Sequence, residues 1–168
     1  PGKASVDHAM PGLAVIGYGK LGGLELGPSS DLDLVFLHNA DPNLYSEGEG
    51  DGQRSIDNST FFMRLCQRMI HILSTQTPSG DIYEVDPRLR PNGNSGMLVI
   101  TLTAFEQYQR ENAWTWEHQA LVRARPVAGD PAIGAAFEKV RHTILAAPRD
   151  KEKLRTEVVD MREKMRGH

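Results

Sequence analysis

Asp31 and Asp33 stand two positions apart in the run Ser29-Ser30-Asp31-Leu32-Asp33-Leu34-Val35-Phe36-Leu37. The apolar residues around them predict a buried strand, whose two-residue period sends both carboxylates to one face while Leu32 and Leu34 turn inward. Two carboxylates on one edge repel each other. A divalent cation between them relieves the repulsion, and an all-oxygen ligand set favours Mg²⁺. The competing reading is a turn cap for Asp31 and a surface charge for Asp33, set against the apolar neighbours Leu32, Leu34, Val35 and Phe36. A third carboxylate follows in Ile82-Tyr83-Glu84-Val85-Asp86-Pro87, where Pro87 keeps Asp86 extended. If this segment is a strand beside the first, Asp31, Asp33 and Asp86 converge on one or two metal ions, as in-line phosphoryl or nucleotidyl transfer requires. Glu84 shares the face of Asp86 and is the alternative third ligand.

Groups suited to phosphate lie close to these carboxylates in sequence. Ser29 and Ser30, beside Gly27, can offer O–H and backbone N–H donors, and Lys20 adds a positive charge. Arg88 and Arg90 follow Asp86 and carry forked donors that match a triphosphate or a leaving pyrophosphate; a structural ion pair is the equally weighted alternative for each. Gly17, Gly19 and Gly22 spell G-x-G-x-x-G after an apolar run. A dinucleotide fold would then need a long helix and a later acidic residue. Gly22, Gly23, Gly27, Pro28, Ser29 and Ser30 fill the interval to Asp31 and leave no room for that helix. Lys20 followed by Leu21 also fails the phosphate-loop ending.

The elements that must position these residues follow from periodicity. Leu13 to Ile16 and Leu32 to Leu37 predict two buried strands, and Asp41 to Asp57, rich in Pro, Asn, Ser, Gly and Glu, predicts a surface loop. Asn58 or Ser59 caps the helix marked by Phe61, Phe62, Leu65, Met69, Ile72 and Leu73, which Pro78, Ser79 and Gly80 end. Ile82 to Asp86 and Met97 to Leu102 predict further strands, and Ala104 to Glu111, Ala113 to Arg123 and Pro131 to Leu145 predict helices. Strands early and helices late argue an α/β or α+β domain, a small mixed sheet with flanking helices. Trp114 and Trp116 read as helix core rather than as a platform for adenine, and His38, His71 and His118 have no metal-ligand spacing.

The chain has 168 residues, with 19 Lys plus Arg against 22 Asp plus Glu. One domain with a full hydrophobic core fits that length. The net charge of −3 argues against a large nucleic-acid interface. No apolar run approaches the roughly 20 residues of a membrane span, and one cysteine, Cys66, forms no internal bridge, so a reduced cytoplasmic protein is expected. The ends read as cuts from a longer chain. Lys151 to His168 predict a charged helix with the apolar stripe Leu154, Val158, Met161 and Met165, and a helical domain is expected beyond it.

Several long motifs are recognisable together: Gly17-Tyr18-Gly19-Lys20-Leu21-Gly22-Gly23, Ser29-Ser30-Asp31-Leu32-Asp33-Leu34, Val85-Asp86-Pro87-Arg88-Leu89-Arg90-Pro91, and Trp114-Thr115-Trp116-Glu117-His118-Gln119-Ala120-Leu121-Val122-Arg123. They resemble those of the glutamine synthetase adenylyltransferases, and the resemblance runs through Gly129-Asp130 to Arg166. It implies a nucleotidyltransferase fold of the DNA polymerase β superfamily over residues 12–130 and a helical extension over 131–168. Members carry two such domains, one adding AMP to glutamine synthetase and one removing it. The Gly-Tyr-Gly-Lys opening, the Tyr83-Glu84-Val85-Asp86 segment and the Trp-Glu-His-Gln-Ala-Leu-Val-Arg segment look more like the C-terminal, adenylylating half. The resemblance makes Asp31, Asp33 and Asp86 the catalytic metal-binding trio, and Gly22, Gly23, Ser29, Ser30, Lys20, Arg88 and Arg90 the nucleotide-binding set. Mg²⁺ is the implied cofactor, ATP the substrate, glutamine synthetase the protein acceptor, and a PII signal-transduction protein the regulator. The adenylyl-removing domain and a non-catalytic nucleotide-binding module are the alternatives.

Overall fold

The seven residues Leu32–His38 form β2, the centre of a mixed sheet. β1, Leu13–Gly17, runs antiparallel along one edge, with Leu13 opposite His38 and Gly17 opposite Leu34. The other edge is shared by two short strands, both parallel to β2. The start of β2 pairs with β5, Val85–Asp86, and its end with β6, Val99–Thr101. The computed structural model describes residues 12–27, 30–41, 44–45, 55–77, 80–81 and 83–166.

Alternation along the strands gives the sheet two apolar faces. Ala14, Ile16, Val35 and Leu37 face Phe105 of α3, Leu102–Glu111, Leu121 of α4, Thr115–Leu121, and Phe137 of α5, Pro131–Ala146. Val15, Leu34 and Phe36 face Phe62 and Cys66 of α2, Asn58–Leu73. Burying a side chain the size of Val35, Phe36 or Leu37 stabilises the fold by about 1.5–3 kcal/mol, and all three are essentially inaccessible. This is a small mixed α/β sheet with helices on both faces, as the periodicity predicts. Among the described residues no helix is long and apolar enough to cross a membrane.

Several boundaries differ from the sequence reading. Asp57, not Asn58 or Ser59, caps α2, its carboxylate accepting from the Thr60 N–H at 2.7 Å and the Thr60 hydroxyl at 2.7 Å. Asn58 is buried, and its amide donates to the Asp41 carbonyl at 2.8 Å, tying the base of the polar loop. The rest of that loop, 42–43 and 46–54, lies outside the described residues. α2 ends at Leu73, before the Pro-Ser-Gly segment, and a short hairpin follows, β3 at Gln76–Thr77 and β4 at Gly80–Asp81. The strand expected over 82–86 is confined to Val85–Asp86; Ile82 is outside the described residues, and Glu84 contributes its carbonyl to the Leu32 N–H at 2.8 Å.

Besides that hairpin, two further elements escaped the periodicity. A one-turn helix, α1 at Gly19–Gly22, is too short to show a repeat. β7, Arg125–Gly129, reads Arg-Pro-Val-Ala-Gly and pairs antiparallel with β1 across a bulge between Val15 and Ile16. Its proline is admissible because β7 is an edge strand. α5 starts immediately afterwards, capped by Asp130, whose carboxylate accepts from the Ala132 N–H at 2.7 Å. The last helix, α6, Lys151–Arg166, packs against α4, and Leu154, Val158 and Met161 are half-buried. The side chain of Met165 is outside the described residues.

Candidate active site

Parallel pairing sets Asp33 of β2 opposite Asp86 of β5. These are neighbouring positions on adjacent strands, so the carboxylates separated by 53 residues in the sequence are brought to one edge of the sheet. Asp31, exposed, precedes β2 on the same strand period as Asp33. Glu84 is also exposed and sits one step before β5.

The turn after β1 closes over this edge. Tyr18 donates its N–H to the Asp33 carbonyl at 2.9 Å, and the next residue, Gly19, adopts φ of 51°. A Cβ on Gly19 would lie 2.1 Å from Oδ2 of Asp33. Only glycine combines the left-handed backbone with so close an approach. The sequence offers Gly19 as a letter of a weak fingerprint and of the Gly-Tyr-Gly-Lys motif; its close contact with the carboxylate accounts for the residue.

Charge at the site is crowded. Burial is the main cause that raises the Asp33 carboxyl above the usual carboxylate range; the negative charges of Asp86 and then Asp31 add to it, and Arg88 and Lys20 oppose it. Asp86 behaves in the opposite sense. A side-chain hydrogen bond from Arg88 is the first cause that holds it below the usual range. Arg88 Nε lies 2.9 Å from Oδ1 and 2.8 Å from Oδ2 of Asp86, and the Arg88 N–H donates to Oδ1 at 2.9 Å. The Arg88 side chain is 69% exposed and that of Asp86 15%, so the guanidinium can leave while the carboxylate stays.

Other members of the expected nucleotide set have structural partners. Arg90 donates to the carbonyl of Pro87 at 2.7 Å, Gly96 at 3.3 Å and Asn94 at 3.4 Å, so its fork braces the loop after β5. Ser30 is buried, and its hydroxyl oxygen accepts the Gly27 N–H at 3.1 Å, closing the turn before β2. A Cβ on Gly22 would meet the Arg123 carbonyl at 2.1 Å, and Gly23 packs on the Arg123 guanidinium, so close packing against the segment leading to β7 accounts for both glycines. Arg123 also pairs with Glu25, and Arg125 Nε donates to the Gly22 carbonyl at 2.9 Å. Ser29 lies outside the described residues. The edge therefore gathers Asp31, Asp33, Asp86, Lys20 and Arg88.

Among the described residues no three His, Cys, Asp or Glu side chains form a ready metal cluster. Asp86 is turned onto Arg88 instead. The donor set is nonetheless all carboxylate oxygen, and the like charges pressing on Asp33 are those a divalent cation would relieve.

The glutamate-ammonia ligase adenylyltransferase family model matches residues 1–140. The chain belongs to this family. A bifunctional glutamine synthetase adenylyltransferase/adenylyl-removing enzyme of Hahella chejuensis is 66% identical over 153 residues, covering 91% of this chain and 16% of that relative. Those of Vibrio parahaemolyticus and Pseudomonas aeruginosa are 56% and 58% identical, covering 96% and 100% of this chain and 17% of each relative. The chain thus spans about one-sixth of the length of the curated family members it matches. Those relatives are named as enzymes that add and remove adenylyl groups.

In this family member the tryptophans depart from the sequence reading. Trp114 is 66% exposed and Trp116 is 42% exposed, so neither is core. The buried residues of α4 are Glu117 and Leu121. His38 is buried and stacked on Phe62, with ring centroids 4.6 Å apart, and His118 Nε2 contacts the Gln109 carbonyl at 2.8 Å; both are structural.

Proposed function

We propose that the chain is the adenylylating nucleotidyltransferase domain of its family, transferring AMP from ATP to a tyrosine of glutamine synthetase. The observation that supports this most is the register of Asp33 on Asp86, with Asp31 on the same edge and Lys20 and Arg88 acting on it electrostatically. The choice of the adenylylating half rests on the Gly17-Tyr18-Gly19-Lys20, Tyr83-Glu84-Val85-Asp86 and Trp116-Glu117-His118-Gln119 segments. The wider fold is then that of the DNA polymerase β superfamily, with 131–168 leading toward further helices.

Asp31, Asp33 and Asp86 would hold Mg²⁺, which when bound supplies charge stabilisation to a triphosphate and lowers the barrier for a hydroxyl to attack phosphorus. Lys20 and Arg88 place positive charge where phosphate oxygens approach, and Arg88 must exchange Asp86 for the nucleotide to do so. Asp33, whose carboxyl burial and the charges of Asp86 and Asp31 push upward, is the member a cation would relieve, and Gly19 packs against its carboxylate. Asp86, freed from Arg88, is placed to orient the incoming hydroxyl. The PII protein would act on the longer chain.

Intact-mass spectrometry of glutamine synthetase after incubation with this chain, Mg²⁺ and ATP tests the proposal. A gain of one AMP per subunit, reduced at least about a hundredfold in rate by Asp31→Asn with Asp33→Asn, is expected. Loss of AMP from adenylylated glutamine synthetase in the presence of phosphate, without any gain in the forward assay, would instead identify the adenylyl-removing domain.

A further inference from the structure

A cavity of about 340 Å³ opens between α4, the end of α3 and the turn after β5, with Tyr108, Trp114, Trp116 and Glu117 on one side and Asn92, Gly93 and Ser95 on the other. Glu117 is only 7% exposed. Its carboxylate accepts from the Tyr108 hydroxyl at 2.9 Å and from the Trp114 N–H at 2.8 Å, and Tyr108 in turn accepts from the Asn92 N–H. All of these donors are neutral, and among the described residues no cation forms an ion pair with Glu117.

The cations close by are engaged elsewhere. Arg90 is spent on the carbonyls of Pro87, Asn94 and Gly96, and Arg141, which with Glu117 acts on Tyr18, is spent on the carbonyls of Leu121 and Val122 and on Glu138. A buried carboxylate without a counter-ion is costly. Here it lines a cavity walled by two exposed indoles, whose faces attract cations.

We infer that this cavity binds a guanidinium or ammonium side chain presented by a protein partner, with Glu117 as its counter-ion and Trp114 and Trp116 as its aromatic walls. An open surface site with exposed tryptophans suits a side chain on a polypeptide, since tryptophan and arginine are the residues enriched at protein interfaces. The cavity's far wall belongs to the loop braced by Arg90, which follows directly on Asp86 of β5. A partner seated here is therefore held in fixed relation to the candidate active site.

The chain has two tryptophans and both line the cavity, Trp114 also bordering a neighbouring one, so intrinsic indole fluorescence reports binding and the Glu117→Gln comparison assigns it to this site. The probe is a capped pentapeptide with central arginine, compared with its citrulline counterpart of nearly the same shape and no charge. A saturable change in emission is expected for the arginine peptide, with affinity at least about tenfold weaker for citrulline. Glu117→Gln removes the charge and keeps one carbonyl acceptor, at the position of Oε2, for the Trp114 N–H at the helix cap, its NH₂ taking the place of the oxygen nearest Tyr108. It should weaken the arginine peptide about tenfold, with circular dichroism and the urea midpoint confirming that it folds. No change in emission, an equal response to citrulline, or undiminished binding by folded Glu117→Gln would overturn the inference. The readout needs no turnover, so its failure leaves the proposed transferase activity standing.

Discussion

His38 ends β2 with its imidazole 2% exposed, stacked on Phe62, and with Nδ1 accepting the Ala40 N–H at 3.2 Å. Burial lowers its pKa from 6.5 to about 4. The folded chain therefore holds it neutral while the unfolded chain takes up a proton below 6.5. Stability from this group is complete above that value and is lost as the pH falls toward about 4. The full shift corresponds to about 3 kcal/mol, and near pH 5 about 2 kcal/mol of it has gone. His38→Gln removes the titration and keeps an acceptor for Ala40. Urea unfolding of both proteins between about pH 7 and about pH 5 measures the effect. The wild-type chain should lose about 2 kcal/mol more than the variant over that interval. Parallel losses in the two proteins would refute the assignment of a buried neutral imidazole, whatever the variant's absolute stability.

Three further perturbations address the site and its supports. Gly19→Ala combines a left-handed backbone with a side chain directed at Asp33; it should cost about 1–2 kcal/mol in urea unfolding and reduce AMP transfer about a hundredfold. A variant with wild-type stability and transfer would remove that contact from the account. Arg88→Ala frees Asp86, so Mn²⁺ alone should bind at least about threefold more tightly by calorimetry while the KM for ATP rises; unchanged or weaker Mn²⁺ binding would show that Arg88 does not compete with a cation there. Asp57→Ala should lower the thermal midpoint, whereas Ser59→Ala should leave it unchanged, because the Asp57 carboxylate receives the Thr60 donors; the reverse ranking would restore the neighbouring residue as the cap.

Legibility from sequence followed the range of the forces involved. The strand at Leu32–His38 and the helices at Asn58–Leu73 and Pro131–Ala146 were readable because an apolar period dictates which face is buried. The adjacency of Asp33 and Asp86 was readable only as a condition, since strand pairing across 53 positions leaves no local signature. β7 was missed because Arg125 and Pro126 weaken its pattern, and its partner β1 lies more than a hundred residues away. The two tryptophans were misassigned for a related reason. Aromatic type suggests core, but Trp114 and Trp116 precede and open α4, and the face that turns inward begins at Glu117. Arg90 shows the limit for charged residues: its side chain satisfies three carbonyls of its own loop, a role that composition cannot distinguish from phosphate binding.

The hydrogen bond from Arg125 to Gly22 joins residues 103 positions apart. On a ribosome adding about 5–20 residues per second, the glycine turn is therefore made roughly 5–20 s before the strand that pins it. During that interval the edge of β1 that β7 will cover is unpaired, while Asp33 waits only for β5. A nascent chain arrested before Arg125 would thus display the Asp-Leu-Asp strand, already able to pair with β5, without the hydrogen bond that pins the glycine turn beside it.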